Sequence, residues 1–442
     1  MKKTVAFYTL GCKLNYSETS TISEEFVNNG FTKIDFFDKA DVYVINTCTV
    51  TENAEKDCRQ IVRRALRQNP NAYIIVTGCY AQLRADEISK MDGVDAVLGS
   101  NEKFKIFDLI QDFTKEQLSC IYVNAAEHLN DFNSAFSTDS DDRTRAYFKI
   151  QDGCDYKCTF CTIPLARGKS RSLAEEIAVK QFTELVDKGY KEIILTGVNV
   201  GDYGKNNDSN LYSLLKKLIA VDGEFRIRIS SIEPNLLTEE ILDLVAQNKK
   251  MCNHFHIPLQ SGSDKMLKLM QRRYNTSDYK SIILKAVNKI KEVGIGVDVI
   301  IGSPGETEED FLDTYNFLKE LPISYLHVFS YSERPNTKAI LMEDKVSAED
   351  KKRRSAMLRI LGEKLKNKFY RNMIGTEQKV LFEDSEKDTN IFGFTSNYVK
   401  VKYPFHSDLA NNFKIVKIKN VNENICSIEE LEPEFKTTEY SL

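Results

Sequence analysis

Six cysteines carry the chemistry that can be read from this chain of 442 residues. Three lie in one short loop, Gly153-Cys154-Asp-Tyr-Lys-Cys158-Thr-Phe-Cys161, spaced C-x3-C-x2-C. Thiolates that close together suit three corners of a cubane iron–sulfur cluster. A structural zinc ion would want a fourth Cys or His nearby, and none follows Cys161 within twenty residues. The missing ligand leaves one iron open to a substrate or cofactor. The other three cysteines each close a short apolar run: Thr-Leu-Gly-Cys12, Ile-Asn-Thr-Cys48 and Val-Thr-Gly-Cys79. A single cysteine often fills a core. Three at equivalent strand ends point instead to a three-thiolate metal site, with Gly11 and Gly78 letting the backbone approach a bulky ligand. Cys58, in the helix after Cys48, and Cys120, in a linker, are expected to be structural.

The elements that must position these groups follow from periodicity. Val5–Leu10, Val42–Asn46, Tyr73–Thr77 and Val94–Leu98 are short apolar strands. Helical patterns lie around them at Ser17–Asn29, Glu52–Gln68, Gln82–Lys90 and Lys103–Asp112. Alternation of this kind predicts a parallel sheet covered on both faces, with ligands outside the carboxyl ends of its strands. The expected first domain spans residues 2–114, and a polar, acidic connection spans 115–142. From residue 143 to 372, strands are expected at Tyr147–Gln151, Glu192–Thr196, Arg226–Ser230, His254–Pro258, Gly296–Ile301 and Tyr325–Phe329. Helices such as Ala174–Lys188 and Leu211–Ala220 separate them. About six β/α units are too few for a closed eight-stranded barrel and predict an open, partial one. Polar residues gather at its strand ends, where such barrels bind ligands. Phe160, Thr196, Asn199, Ser230, Gln260 and Gly302 are therefore candidate cofactor contacts, and Glu233 stands where a small ligand's amine could be held. Turn and cap chemistry explains many residues of these types equally well.

Residues 373–437 change character. Short strands at Lys379–Phe382, Ile391–Thr395, Tyr398–Tyr403, Lys414–Val421 and Ile425–Leu431 predict a small β-barrel. Its aromatic residues Phe392, Phe394, Tyr398, Tyr403 and Phe405 suit base stacking or strand packing alike. Before it, Lys345–Arg371 forms a strongly basic helix. The whole chain carries 61 Lys and Arg against 65 Asp and Glu, so nucleic-acid binding must come from local patches. One candidate stripe is Lys56, Arg59, Arg63 and Arg67, which recur at helical steps on the helix after Cys48. Composition is that of a globular protein, with no run long enough to span a membrane. The apolar start after Lys2-Lys3 lacks a cleavage site, so it is expected to be a buried strand. Cysteine usage without a secretory signal points to the cytoplasm.

The C-x3-C-x2-C loop, with Phe160 before its last cysteine, resembles the radical S-adenosylmethionine superfamily. Together with Gly11-Cys-Lys-Leu-Asn15, Asn46-Thr-Cys-Thr-Val50, Thr77-Gly-Cys-Tyr80 and Ile163-Pro-Leu-Ala-Arg-Gly168, it makes the chain similar to the methylthiotransferase family. The resemblance runs from about residue 3 to 435 and implies three parts: an amino-terminal α/β domain, a partial (β/α)6 radical-SAM barrel and a TRAM β-barrel. Two [4Fe-4S] clusters are implied, an auxiliary one on Cys12, Cys48 and Cys79, and one on Cys154, Cys158 and Cys161 that cleaves S-adenosylmethionine. The implied reaction inserts a methylthio group into an unactivated adenine C–H bond of tRNA near the anticodon stem-loop, chemistry that needs a cofactor radical. The Gly-Cys-Lys-Leu-Asn start leans to the threonylcarbamoyladenosine branch. Isopentenyladenosine and ribosomal-protein branches are the alternatives, and a non-catalytic, metal-dependent RNA-binding module is the rival from another class. A flavodoxin or ferredoxin as electron donor, no membrane and a monomeric state complete the expectation. Asp155 stands where members often carry Asn, and residues 374–437 carry more acids than lysines.

Overall fold

The computed structural model describes residues 2–49, 54–115, 118–129, 132–137, 144–206, 208–383 and 389–429. Val50 of the second cysteine motif, Glu52 at the head of its helix, most of the acidic run 130–142 and the chain beyond 429 lie outside the described residues.

Six parallel strands form the first sheet, ordered Thr32–Lys33, Thr4–Thr9, Val42–Thr47, Tyr73–Gly78, Ala96–Leu98 and Cys120–Tyr122. The central strands Val42–Thr47 and Tyr73–Gly78 are buried along their whole length, as a sheet covered on both faces requires. Three helices differ from the periodicity reading, and of these Lys103–Asp112 is only a 3-10 turn at Glu102–Phe104 followed by a short helix at Ile106–Leu109, broken at Lys105. The first helix runs Lys13–Asn28 with Cys12 as its cap residue, because polar residues before Ser17 are drawn inside by later partners. The expected Gln82–Lys90 helix is two pieces, Cys79–Leu83 and Ala85–Ser89, broken at Arg84. Cys120 lies in the sixth strand of this sheet, within the stretch expected to be only a connection.

The second module contains six parallel strands: Arg145–Lys149, Glu192–Thr196, Arg226–Ile229, His254–His256, Gly294–Ile301 and Tyr325–Ser330. The first three pair in one sheet, edged by the antiparallel strand Ala135–Phe136, and the last three in another. Bridges Ile227–Met251 and Ser231–His256 join the two into one partial barrel. Its outer layer of helices, including Glu175–Asp187, Leu211–Ile219 and Thr276–Lys289, buries a continuous apolar core.

A 24-residue helix, Ala348–Arg371, capped by Ser347, leads to the third module. Two of its basic residues are committed within the fold: Arg353 pairs with Glu308, and Arg354 with Glu306 and Glu308. Strands Glu377–Phe382, Asn390–Thr395, Lys400–Pro404, Ile425–Ile428 and Phe413–Asn422 close a five-stranded barrel. Its turn at 394–398 plugs the lower end of the larger barrel. Arg226 donates to the Phe394 carbonyl at 3.0 Å, and the Tyr398 hydroxyl to Glu192 at 2.9 Å. Gly294 makes room for this plug, since a Cβ there would lie 2.3 Å from the Asn397 carbonyl oxygen.

Candidate functional site

The two cysteine sites meet where the first module docks on the barrel. Cys12, Cys48 and Cys79 sit just beyond three strand ends, Cys48 and Cys79 buried and Cys12 exposed. Gly11 adopts φ +107°, and a Cβ there would lie 2.8 Å from the Cys48 sulfur. Gly78, at φ +97°, would strike the Thr47 carbonyl oxygen at 2.2 Å. Both glycines are therefore required by left-handed backbone and close approach together. The loop cysteines are partly buried, and backbone N–H groups of Tyr156 and Ile163 point at the Cys154 and Cys161 sulfurs, at 3.4 and 3.5 Å.

One short segment touches both sites. Thr162, next to Cys161, lies 3.4 Å from Thr49, next to Cys48. The helix that follows, Ile163–Arg167, packs on the helix beginning at Cys79. At its end Arg167 donates from Nε to the Cys79 sulfur at 3.2 Å. The rest of that guanidinium is clamped by Glu18 at 2.9 and 3.1 Å, Asp152 at 3.1 Å and Asn15 at 2.9 Å. Glu18 also holds Lys103 at 2.5 Å and Lys149 at 3.0 Å, while Asp152 pairs with Lys149 and Arg171. Glu18, Lys103, Lys149 and Arg167 are almost wholly buried. Burial opposes ionisation of Glu18, but Arg167, Lys103 and Lys149 outweigh it and hold the carboxyl well below its usual range. The hub's cations outnumber its acids, which suits a site for buried anionic sulfur.

Burial raises every loop thiol, Cys154 to about 12 and Cys161 to about 11. Cys158 is raised by burial too, against Arg272, whose Nη1 donates to its sulfur at 3.0 Å. Arg272 is also ion-paired with Glu233. Bare thiols in such places are costly to ionise, whereas a bound cation reverses that balance.

The sulfurs of neither triplet all lie within 4.8 Å of one another; among the described residues only His256, Asp298 and His327 bring three ligand-type atoms that close. A single tetrahedral zinc with Zn–S near 2.3 Å would hold its sulfurs at roughly 4 Å. Both triplets are thus open for a larger group, and the donor sets fit iron–sulfur clusters. A place for a polar cofactor is also present. Thr196 Oγ1, Asn199 Oδ1 and Ser230 Oγ are buried at the barrel's strand ends without hydrogen-bond partners, an expensive state unless a ligand supplies them.

A cavity of about 500 Å³ joins Phe160, Cys161 and Gln260 to Asp298, Tyr331 and Arg334. Gln260 enters it from a left-handed φ of 72°, its backbone fixed to Asp298 and Ile300. Glu233 stands beside the loop through Arg272. Gly302 is placed otherwise: its N–H goes to the Glu306 carboxylate and its Cα packs under Lys351, so it offers a ligand no donor. Lys56, Arg59, Arg63 and Arg67 are all exposed on the Ala54–Gln68 helix. Arg167, Glu18, Asp152, Lys103, Arg272 and the His256–Asp298–His327 group have no signal of their own in spacing. Only Arg167 falls inside one of the sequence motifs. Lys13 stands beside Cys12, where burial, then Arg228, pushes its ammonium down to about 7.

Comparison with known proteins agrees with this geometry. Residues 148–318 match the radical SAM superfamily, and residues 4–99 match the uncharacterized protein family UPF0004. The threonylcarbamoyladenosine tRNA methylthiotransferase MtaB of Bacillus subtilis is 43% identical over 94% of this chain and 93% of its own length. The Aquifex aeolicus protein of the same name is 37% identical over 94% and 99%. The radical S-adenosylmethionine methyltransferase TsrM of Kitasatospora setae shares the fold, with a TM-score of 0.57 at 14% identity over 77% of each chain. With relatives this similar over nearly its whole length, the chain belongs to the radical SAM methylthiotransferases, in the company of the threonylcarbamoyladenosine tRNA enzymes.

Proposed function

We propose that this enzyme adds a 2-methylthio group to N6-threonylcarbamoyladenosine next to the anticodon of tRNA. The observation that carries the reading is the meeting of two cysteine triplets across Thr49 and Thr162 at the mouth of one polar chamber. In this reading Cys12, Cys48 and Cys79 hold the auxiliary [4Fe-4S] cluster. Cys154, Cys158 and Cys161 hold the second, whose open iron takes S-adenosylmethionine. When bound, these groups supply the one-electron chemistry that breaks an unactivated adenine C–H bond and the sulfur and methyl that replace the hydrogen.

The chain's own residues do the rest. Thr196, Asn199 and Ser230 offer their unpartnered oxygens to the cofactor's polar groups, and Phe160 and Gln260 wall its cavity. Glu233, tethered by Arg272, stands where it can meet an amine. Arg167 fixes the distance between the sites by holding Cys79 from the segment that begins at Cys161. The Phe394–Tyr398 turn stops the barrel's lower end, so the base must enter at the cysteine side. Residues 2–114, 143–372 and 373–437 act as auxiliary-cluster, radical-SAM and TRAM domains joined through 115–142. The Lys56–Arg67 stripe grips the anticodon stem, a flavodoxin or ferredoxin supplies electrons, and the enzyme works as a cytoplasmic monomer. None of its described helices is long and apolar enough to cross a membrane.

The test compares anaerobically reconstituted enzyme on anticodon stem-loops carrying threonylcarbamoyladenosine or isopentenyladenosine, with nucleosides read by mass spectrometry. The 2-methylthio product is expected on the first. Equal or greater conversion of the isopentenyl substrate would overturn the assignment.

A further inference from the structure

Two basic residues, Lys13 and Arg228, stand close to one another, and Lys13 feels the charge of Asp298, which lines the cavity beside Cys161. Lys13 follows Cys12 and begins the Lys13–Asn28 helix, which packs across Ala135–Phe136 and Arg145–Lys149. Its ammonium feels Arg228, Glu192, Arg145 and Asp298, and no hydrogen bond or ion pair to it occurs among the described residues. Each acid it feels is already engaged. Glu192 is bound by Arg226 at 2.5 Å and by the Tyr398 hydroxyl at 2.9 Å. Arg145 is matched by Glu383 at 2.7 Å. Asp298 Oδ1 meets His256 at 2.7 Å and His327 at 3.2 Å. Arg228 lies over the Tyr398 ring at 3.7 Å, with Glu192 3.6 Å from its Nε, and that buried Nε has no hydrogen-bond partner.

A lysine with no close partner, beside an arginine whose only carboxylate contact is a long 3.6 Å one to Glu192, is an expensive arrangement unless an anion joins them. Asp298, whose charge Lys13 feels together with that of Arg228, lines the same cavity as Cys161 and Gln260, which puts the two basic residues within electrostatic reach of the space beside the radical-SAM loop. An adenine ring carries no charge, but an amino-acid arm on its N6 ends in a carboxylate. We propose that Lys13 and Arg228 are the receptor for that carboxylate, and so the residues that select an amino-acid-bearing adenosine over one with an apolar arm. The inference rests on the reading given under Proposed function and deepens it. An apolar arm would leave Lys13 without a partner and Arg228 with only its long Glu192 contact, and polar sites of this kind reject analogues lacking the matching group far more strongly than apolar pockets do. A guanidinium stacked on an aromatic face is well placed for this, because its edge stays fixed for carboxylate hydrogen bonds. The same positive field falls on His254: burial first, then Arg228, His256 and Lys13 hold its imidazole neutral.

Reconstituted full-length enzyme is tested on three stem-loops that differ only at the target: threonylcarbamoyladenosine, the same nucleoside with its carboxylate converted to the amide, and isopentenyladenosine. Affinity is read by fluorescence anisotropy and kcat/KM from the methylthio product. Wild type is expected to prefer acid over amide by roughly tenfold or more, as befits one charge-assisted hydrogen bond. K13M and R228Q should each shrink that ratio, chiefly by weakening binding of the acid, with the amide little affected. K13R should restore most of it. Equal use of acid and amide by wild type overturns the receptor while leaving the assigned reaction standing. An unchanged ratio in K13M overturns it as well, and that variant keeps the buried Arg228–Glu192 pair should R228Q fail to fold. Product only on the isopentenyl stem-loop overturns the assigned reaction and the receptor together.

Discussion

The two cysteine sites are built by opposite means. Cys154, Cys158 and Cys161 share one loop, and two of their sulfurs accept from backbone groups of that same loop. Cys12, Cys48 and Cys79 come from three strand ends, and Cys79 is held by Arg167 from a different module. The loop site is a local feature of the chain. The strand-end site depends on the folded sheet, docking adds Arg167 to it, and Glu18 pairs with cations of both modules there.

The largest effect that can break this contrast is at Glu18. Glu18→Ala leaves Lys103, Lys149 and Arg167 buried around a missing carboxylate, at a cost of about 3–5 kcal/mol. Denaturant unfolding should show that loss. Iron should fall first from the strand-end site, with the Cys154 loop retaining its share. Equal loss from both would mean the sites are not supported separately.

A second contrast lies at the other interface, where Glu192 holds the third module through Tyr398. Burial raises its carboxyl, but Arg226, Arg145 and Arg228 outweigh that and bring it down to about 2 from 4.5. Because the folded value is the lower one, its stabilisation is complete above pH 4.5 and disappears as pH falls toward 2. The shift corresponds to roughly 3 kcal/mol. Glu192→Gln should therefore be less stable than wild type at about pH 7, with the two converging below about pH 3 in urea titrations. A constant gap across that range would mean that the Glu192 charge does not stabilise this interface.

The same division explains what sequence could reveal. The loop site is visible in the spacing of Cys154, Cys158 and Cys161, because neighbours in sequence are neighbours in space. The strand-end site needed the inference of a parallel sheet, which places Cys12, Cys48 and Cys79 together at one edge. The six barrel strands and the five of the small barrel also came through, since apolar runs bounded by Gly, Asn and Pro mark them locally. What escaped was pairing across modules. Glu18 lies in a helix that looks polar, and nothing in its spacing shows three cations arriving from residues 103, 149 and 167. Gly302 shows the related ambiguity that a glycine at a strand end serves a turn packed under Lys351 as readily as a ligand. Cys120 looked like part of a linker because a three-residue edge strand leaves almost no periodic signal.

The smallest expected effect concerns RNA. In the function proposed, the exposed stripe on the helix after Cys48 would tie substrate docking to the strand-end site. Neutralising Arg59, Arg63 and Arg67 together should weaken stem-loop binding and reduce the salt slope by roughly 0.7–0.9 for each phosphate that is no longer neutralised. Cleavage of S-adenosylmethionine without RNA should not change. An unaltered affinity and slope would leave these residues as a solvated surface.

Whether the two clusters are independent is tested most directly by iron and sulfide content after anaerobic reconstitution of a variant with Cys154, Cys158 and Cys161 all replaced by Ala, its folding checked by circular dichroism. Two independent clusters predict that about four irons remain, that the strand-end cluster keeps its spectrum, and that reductive cleavage of S-adenosylmethionine is abolished. A folded variant that has lost all its iron, or one that still cleaves the cofactor, would contradict two separately held clusters.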